Sequence, residues 1–175
     1  MSRIEENYTL KSSILDWVKT ILTSLGIAIL ITSFVKPTLV VGSSMYPTFQ
    51  NYNYLLVNRM AYMNSMPQHQ DIIVFNNKLP GNKVLIKRVI ATEGDKLIIE
   101  NGKVLVNGQL QNEPYIHGQG TAGSVNAIIP KNDVFVMGDN RGNSEDSRFL
   151  DVGYINKTDI IGKVFFGFIP FGSIK

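Results

Sequence analysis

Residues 20–35 form an apolar run without a charge, bounded by Lys19 and Lys36. As a helix this run would span about 24 Å at about 1.5 Å per residue, short of a hydrocarbon core of about 30 Å. Extending it back to Ile14 supplies the missing turns. Asp16 and Lys19 then lie at headgroup depth, and Trp17 sits in the interface. The pattern predicts an N-terminal tail over 1–13, a transmembrane anchor over 14–36 and a further domain over 37–175. Pro37 ends the helix, because proline disfavours helical backbone at the residue before it. A cleaved leader would have a shorter core and a small-residue exit. Here the run passes through Lys36-Pro37 into a strand-like segment. The bland alternative is a buried helix of a soluble domain.

Beyond the anchor the pattern changes to short stretches rich in Val, Ile, Leu and Phe. Thr38–Val41, Tyr54–Asn58, Ile72–Phe75, Val84–Ala91, Lys96–Glu100, Lys103–Val106, Val134–Met137 and Ile161–Phe168 read as strands. Asn101-Gly102 between two such stretches predicts a two-residue hairpin, since a type I′ turn needs positive φ at both central positions. Asn107-Gly108 marks the next turn. Residues 109–129, polar and carrying Gly118, Gly120 and Gly123, read as a long surface excursion. No stretch after residue 36 keeps a helical period. The fold class expected is mostly β: one N-terminal transmembrane helix, then a β-rich domain of several short antiparallel sheets.

Charge points to an orientation, weakened a little by Lys36 at the far edge, and narrows the partners. The chain has 175 residues and a formal net charge of +3. Arg3, Lys11 and Lys19 precede or flank the run, whereas residues 37–58 carry no charge of either sign. The positive-inside bias places the N-terminus in the cytoplasm and the main domain outside, with a lipid bilayer as partner. No basic cluster is interleaved with aromatics, which argues against nucleic acid. The chain has no cysteine, which removes disulfides, thiol catalysis and thiolate metal sites.

Three stretches carry candidate chemistry. Ser44 lies in Gly42-Ser43-Ser44-Met45-Tyr46-Pro47-Thr48, where small residues permit a tight turn and an open hydroxyl. A backbone N–H at such a turn can point at a developing oxyanion. On its own, a serine here reads as an ordinary turn residue. Lys87 lies in Val84-Leu85-Ile86-Lys87-Arg88-Val89-Ile90, so Lys87 and Arg88 face opposite sides of a strand. One of the two cations can reach water, and the other points at a packed face unless the strand is an edge. Burial lowers a lysine's pKa, and a neutral lysine can accept a serine proton. At pH of about 8 an ordinary lysine is less than about 1% neutral, whereas a pKa near 8 makes about half of it available. The bland alternative is a pair of snorkelling edge cations. The third stretch, Gly138 to Arg148, packs short polar side chains with two arginines after an apolar strand. Such a loop can lock itself through carboxylate–guanidinium pairs. Its acidic spacing does not fit a calcium loop.

Together these stretches resemble the type I signal peptidases, the membrane-bound serine proteases that remove leader peptides from exported preproteins. The resemblance rests on Ser44-Met45-x-Pro47-Thr48, on Lys87-Arg88 followed by Gly94-Asp95, and on Gly138-Asp139-Asn140-Arg141-x-Asn143-Ser144-x-Asp146-Ser147-Arg148. Asp71-Ile72-Ile73-Val74-Phe75 also fits a family segment, and the single anchor with a small domain looks like the compact Gram-positive form. The resemblance implies Ser44 as nucleophile and Lys87 as general base. Ser144 would hydrogen-bond and orient the lysine amine. Asp146 and Arg148 would hold the active-site loop, with Arg88 and Asp139 as structural partners. Met45 and Ile86 would line the pocket for the residue before the cleaved bond. It also implies cleavage after small residues, preproteins as substrates, and neither a cofactor nor a metal.

Some positions depart from the family pattern. Gly42 stands where some relatives have a serine that donates to the oxyanion, Gln70 where glycine is frequent before Asp71, and Glu93 where proline is common. Phe165-Phe166-Gly167-Phe168-Ile169-Pro170-Phe171 offers aromatics to a bilayer surface, against a core strand as alternative. His69 and His117 lie in polar loops that fix no tautomer, which speaks against a Ser-His-Asp triad. The rival functions are a Ser-Lys processing peptidase with a narrow substrate, a repressor-type self-cleaving protein, and an inactive membrane-tethered binding domain.

Overall fold

The computed structural model describes residues 2–77, 84–116 and 120–168. They divide into two compact units, residues 1–35 and 36–175. The first is one helix, α1, Ser2–Phe34. Its portion Ser13–Phe34 is apolar and long enough to cross a membrane. At about 1.5 Å per residue it covers about 33 Å, which matches a hydrocarbon core of about 30 Å. The hydroxyls in this run do not disturb it. Thr20, Thr23, Ser24, Thr32 and Ser33 each bond the carbonyl four residues back, at 2.7–2.9 Å. Apolar side chains such as Ile21, Leu22, Leu25 and Leu30 are exposed, as lipid-facing residues must be. The helix stops at Phe34 and strand β1, Val35–Leu39, already contains Lys36 and Pro37. The expected end at residue 36 is thus two residues late, because the β-branched Val35 and the residue before Pro37 take up extended backbone.

The second unit is built of two sheets. Ten strands follow β1: β2 Tyr54–Asn58, β3 Ile72–Asn76, β4 Val84–Thr92, β5 Lys96–Glu100, β6 Lys103–Val106, β7 Gln109–Leu110, β8 Val125–Ile128, β9 Asp133–Met137, β10 Ile155–Asn156 and β11 Ile160–Phe168. A seven-stranded sheet runs β1-β2-β11-β3-β4-β9-β10, and a four-stranded sheet runs β7-β6-β5-β8. The registered neighbours are antiparallel. Asn101 and Gly102 take φ of 50° and 77°, the positive pair that the β5–β6 hairpin requires.

The strand β9 explains how the sheets join. Phe135 and Met137 point into a core shared with Ile90, Ala91, Leu97, Ile99, Val104 and Val106. Val134 and Val136 point the other way, toward Tyr62, Ile73, Phe75, Val89 and Ile155. A strand buried on both faces is a rigid platform, and the Gly138–Arg148 loop leaves directly from its end. The 109–129 excursion is more ordered than a bare surface loop. It contains β7 and β8, and β8 pairs with β5 from Val125↔Ile99 to Ile128↔Lys96. At the end of β11, Phe165, Phe166 and Phe168 are all exposed, so the core-strand alternative fails for these three. Tyr54 stacks on Phe168 at 5.7 Å. Residues 169–171 and His117 lie outside the described residues.

Candidate active site

Two pieces of backbone bring the candidate residues together. Ser44 sits in a turn after Val40, whose N–H and carbonyl bond Asn53 and Tyr52. Gly42 in this turn has φ of 104°, and its N–H donates to Asn51 Oδ1 at 2.9 Å. Lys87 sits midway along β4. The first half of β4 pairs only with β3, Val84 to Arg88 against Asn76 to Ile72. From Arg88 onward β9 pairs with its other side. The edge of Val84–Lys87 away from β3 is therefore open, and Ser44 lies there. Lys87 Nζ donates to Ser44 Oγ at 2.8 Å.

The lysine is only 2% exposed. Burial pushes its pKa down from 10.5 to about 8, although Asp146, Glu145 and Asp139 pull the other way. Among the described residues no carboxylate lies within ion-pair distance of it. A substantial share of such an amine is neutral near pH 8, and a neutral amine in contact with a hydroxyl can accept its proton. The Ser44 N–H has no acceptor among the described residues, which leaves it free for an incoming oxygen.

Arg88 does not reach water as one of the two neighbouring cations was expected to. Both are buried, Arg88 at 8% exposure. The reason is a carboxylate: Arg88 Nε and Nη2 bind Asp139 at 2.8 and 2.6 Å. Asp139 also accepts from Thr48 of the Ser44 turn. Asp146 is fully buried, accepts the Gly138 N–H at 3.1 Å and pairs with Arg148 at 2.8 Å. Arg88 therefore pairs with Asp139, and Asp146 with Arg148.

Ser144 is different. Its hydroxyl is buried without a hydrogen-bond partner, so the expected bond to the lysine amine is not formed. The amine's hydrogen bond goes to Ser44 instead. Ser144 is nevertheless close to the Ser44 backbone. A Cβ at Gly138 would collide with both Ser144 Oγ and the Ser44 carbonyl oxygen. Only glycine lets the loop approach this closely. Asn140 completes the contact: its N–H bonds the Ser44 carbonyl at 3.0 Å and its side chain the Ser43 carbonyl at 3.1 Å.

A cleft of about 170 Å³ runs up to Ser44 and Lys87. Its walls are residues 38–42 on one side and 84–86 on the other, with Met45 and Ile86 among the lining residues. His69 takes no part: its Nε2 bonds Asp95 at 2.6 Å. Sequence reasoning missed Glu113, Tyr115 and Thr121. All three come from the excursion, and all three contact arginines behind the site. Arg141 pairs with Glu113 at 2.6 Å and also bonds Thr121. The Arg88 guanidinium lies 3.9 Å from the centre of the Tyr115 ring. The available signal was Glu113-Pro114-Tyr115 itself, an acid and an aromatic in an otherwise polar, glycine-rich stretch.

Comparison with known proteins finds related chains and a similar fold. The family model described as signal peptidase, peptidase S26, matches residues 14–169. Signal peptidase I S of Bacillus subtilis is 36% identical over 97% of each chain. Signal peptidase IB of Staphylococcus aureus is 34% identical over 95% of each. The crystal structure of a signal peptidase I from Enterococcus faecalis shares the fold at a TM-score of 0.50. It is 23% identical, with 58% of this chain and 98% of that one covered.

Proposed function

Because this chain belongs to the peptidase S26 family of signal peptidases, serine endopeptidases that remove signal peptides, we propose that Ser44 and Lys87 form its catalytic dyad and that it cleaves exported preproteins after small residues. The 2.8 Å contact between the buried Lys87 amine and Ser44 Oγ carries this reading. The substrate's cleavage segment lies extended in the cleft and bonds the open edge of Val84–Lys87 as an added strand. Alternate residues of such a strand point the same way. The first and third residues before the bond therefore face a cleft of about 170 Å³ shared between them, which suits small side chains.

Neutral Lys87 takes the Ser44 proton as Oγ attacks the carbonyl carbon. The Ser44 N–H stabilises the resulting oxyanion, and the lysine ammonium returns its proton to the leaving amine. Lys87, neutral again, deprotonates a water that hydrolyses the acyl ester. Asp139, Arg88, Asp146 and Arg148 hold the loops, and Met45 and Ile86 shape the pocket. The chain is anchored by α1, with the N-terminus in the cytoplasm and the catalytic unit outside, as the distribution of Arg3, Lys11 and Lys19 supports.

The test is cleavage of a preprotein with a small-x-small exit, in detergent, by the intact chain beside Ser44→Ala and Lys87→Ala. Cleavage at that exit by the parent alone is the expected outcome. Turnover that survives Lys87→Ala would overturn the base assignment. A folded parent that leaves this preprotein intact would point to a narrow-substrate peptidase.

A further inference from the structure

The excursion between β7 and β8 reaches back to the catalytic layer through two side chains. Glu113 is 8% exposed and grips Arg141, itself 2% exposed, with both oxygens, at 2.6 and 3.0 Å. Arg141 then donates from Nε to the Gly138 carbonyl at 3.1 Å. Gly138 is the residue packed against the Ser44 carbonyl and Ser144. Tyr115 lays its ring 3.9 Å from the Arg88 guanidinium carbon, and its hydroxyl donates to Glu113 Oε1 at 3.0 Å. Arg88 holds Asp139, which holds Thr48 in the nucleophile's turn. The two side chains thus join into one clamp with one end behind each half of the dyad.

We infer that Glu113 and Tyr115 are positioning residues for the Ser44–Lys87 dyad, fixing Arg141 and Arg88 and through them Gly138, Asp139 and the turn that carries Ser44. The physical basis is rigidity. A buried guanidinium with two partners in fixed geometry has one place to be, and a cation over an aromatic face is held without a competing charge. Tyr115 also covers the outer face of Arg88, the strand neighbour of Lys87. Leucine in its place would remove the ring from the Arg88 guanidinium and loosen its hold on Asp139. The charged groups acting on Lys87 are Asp146, Glu145 and Asp139, and Asp139 is the one that Arg88 holds.

This inference rests on the dyad reading above, so its test has two readouts. The first is preprotein cleavage by the full chain and by Tyr115→Leu, Tyr115→Phe and Glu113→Gln. The second is direct titration of the Lys87 amine by NMR of lysine-labelled protein, which needs no turnover. Tyr115→Leu is expected to lower kcat about tenfold or more with KM within about twofold, since misplaced reacting groups cost rate rather than binding. The Lys87 titration midpoint should rise by about half a pH unit, because a loosened Arg88 neutralises Asp139 less and the Asp139 charge pulls that midpoint up. Tyr115→Phe keeps the ring and should recover both readouts. Glu113→Gln should lower kcat without moving KM, and stands in where Tyr115→Leu does not fold. Parent-like kcat in both Tyr115→Leu and Glu113→Gln would overturn the proposal. So would Tyr115→Phe behaving like Tyr115→Leu with the Lys87 midpoint unmoved. Cleavage that survives Lys87→Ala, with the midpoint moved in Tyr115→Leu as expected, would sink the dyad reading and leave the packing role of Glu113 and Tyr115 standing.

Discussion

The cleft side of β4 and the layer behind it treat buried cations in opposite ways. Behind, Arg88, Arg141 and Arg148 each face a buried carboxylate, Asp139, Glu113 and Asp146, at 2.6 to 2.8 Å. In front, Lys87 is as deeply buried but touches only a hydroxyl. Guanidinium keeps its proton under any such burial, so an arginine needs a partner and becomes a rigid strut. An amine can give its proton up, so an unpaired lysine is suited to the base role proposed for Lys87. The same burial makes scaffold on one side and chemistry on the other. The difference lies in which cation has been denied a counter-ion.

The sharpest way to break that comparison is to put the wrong cation in front. Lys87→Arg keeps the charge but cannot deprotonate. We expect it to lower kcat/KM by about 10⁴ or more, as removal of a base does. Preprotein cleavage under single-turnover conditions would measure it. Residual activity near the parent's would mean that the proton goes elsewhere. Next is the converse: taking a counter-ion from behind. Asp139→Ala strands the Arg88 guanidinium in the interior and should cost about 3–5 kcal/mol of stability, read by denaturant unfolding. A loss under about 1 kcal/mol would show the pair to be solvated and the contrast false.

A third effect, of similar or smaller size, concerns stability against pH. The folded chain releases the Lys87 proton near pH 8, whereas the unfolded chain holds it to about 10.5. Between these values the unfolded state binds more protons, so stability should rise with pH, by about 3 kcal/mol at most. The gain is lost as pH falls through 8. Lys87→Met should flatten this rise and melt higher than the parent at pH 7, while being inactive. A parent curve that is flat from pH 8 to 10 would mean that Lys87 is hydrated. The smallest expected effect is a control. His69→Gln removes a group bonded to Asp95 and should change cleavage by less than about twofold. Loss of cleavage would return histidine to candidacy.

Much of this was legible in the sequence, and the limits are physical. Strands with several consecutive Val, Ile or Leu residues, such as β4, β5 and β6, announce themselves because both hairpin partners and core face demand it. The strands β7, β8 and β10 have two to four residues. Periodicity needs more than that to register, and they exist because a neighbour offers an edge. A lysine among apolar residues stood out as an energetic anomaly, but by itself it left an edge cation open, and the pairing of Ser44 with Lys87 was an expectation from the family resemblance. Glu113 and Tyr115 were not, because their significance depends on Arg141 and Arg88, 28 residues later and 27 residues earlier. Ser144 is the instructive miss: the motif names the residue, but where its hydroxyl bonds is decided by packing around Gly138.

Gly138 has a further consequence, for what variation this protein can tolerate. The cleft walls can drift. Ile86 or Val41 can change size and alter what is accepted, while the rest of the site stands. At position 138 even one methyl group meets the Ser44 carbonyl and the Ser144 hydroxyl. No neighbouring change makes room, since one obstacle is the backbone of the very residue that must stay. Lineages can therefore diverge in preference from the front of the site, while its back wall admits a single residue. An inhibitor that braced itself against that wall would leave the protein little room to escape by substitution there.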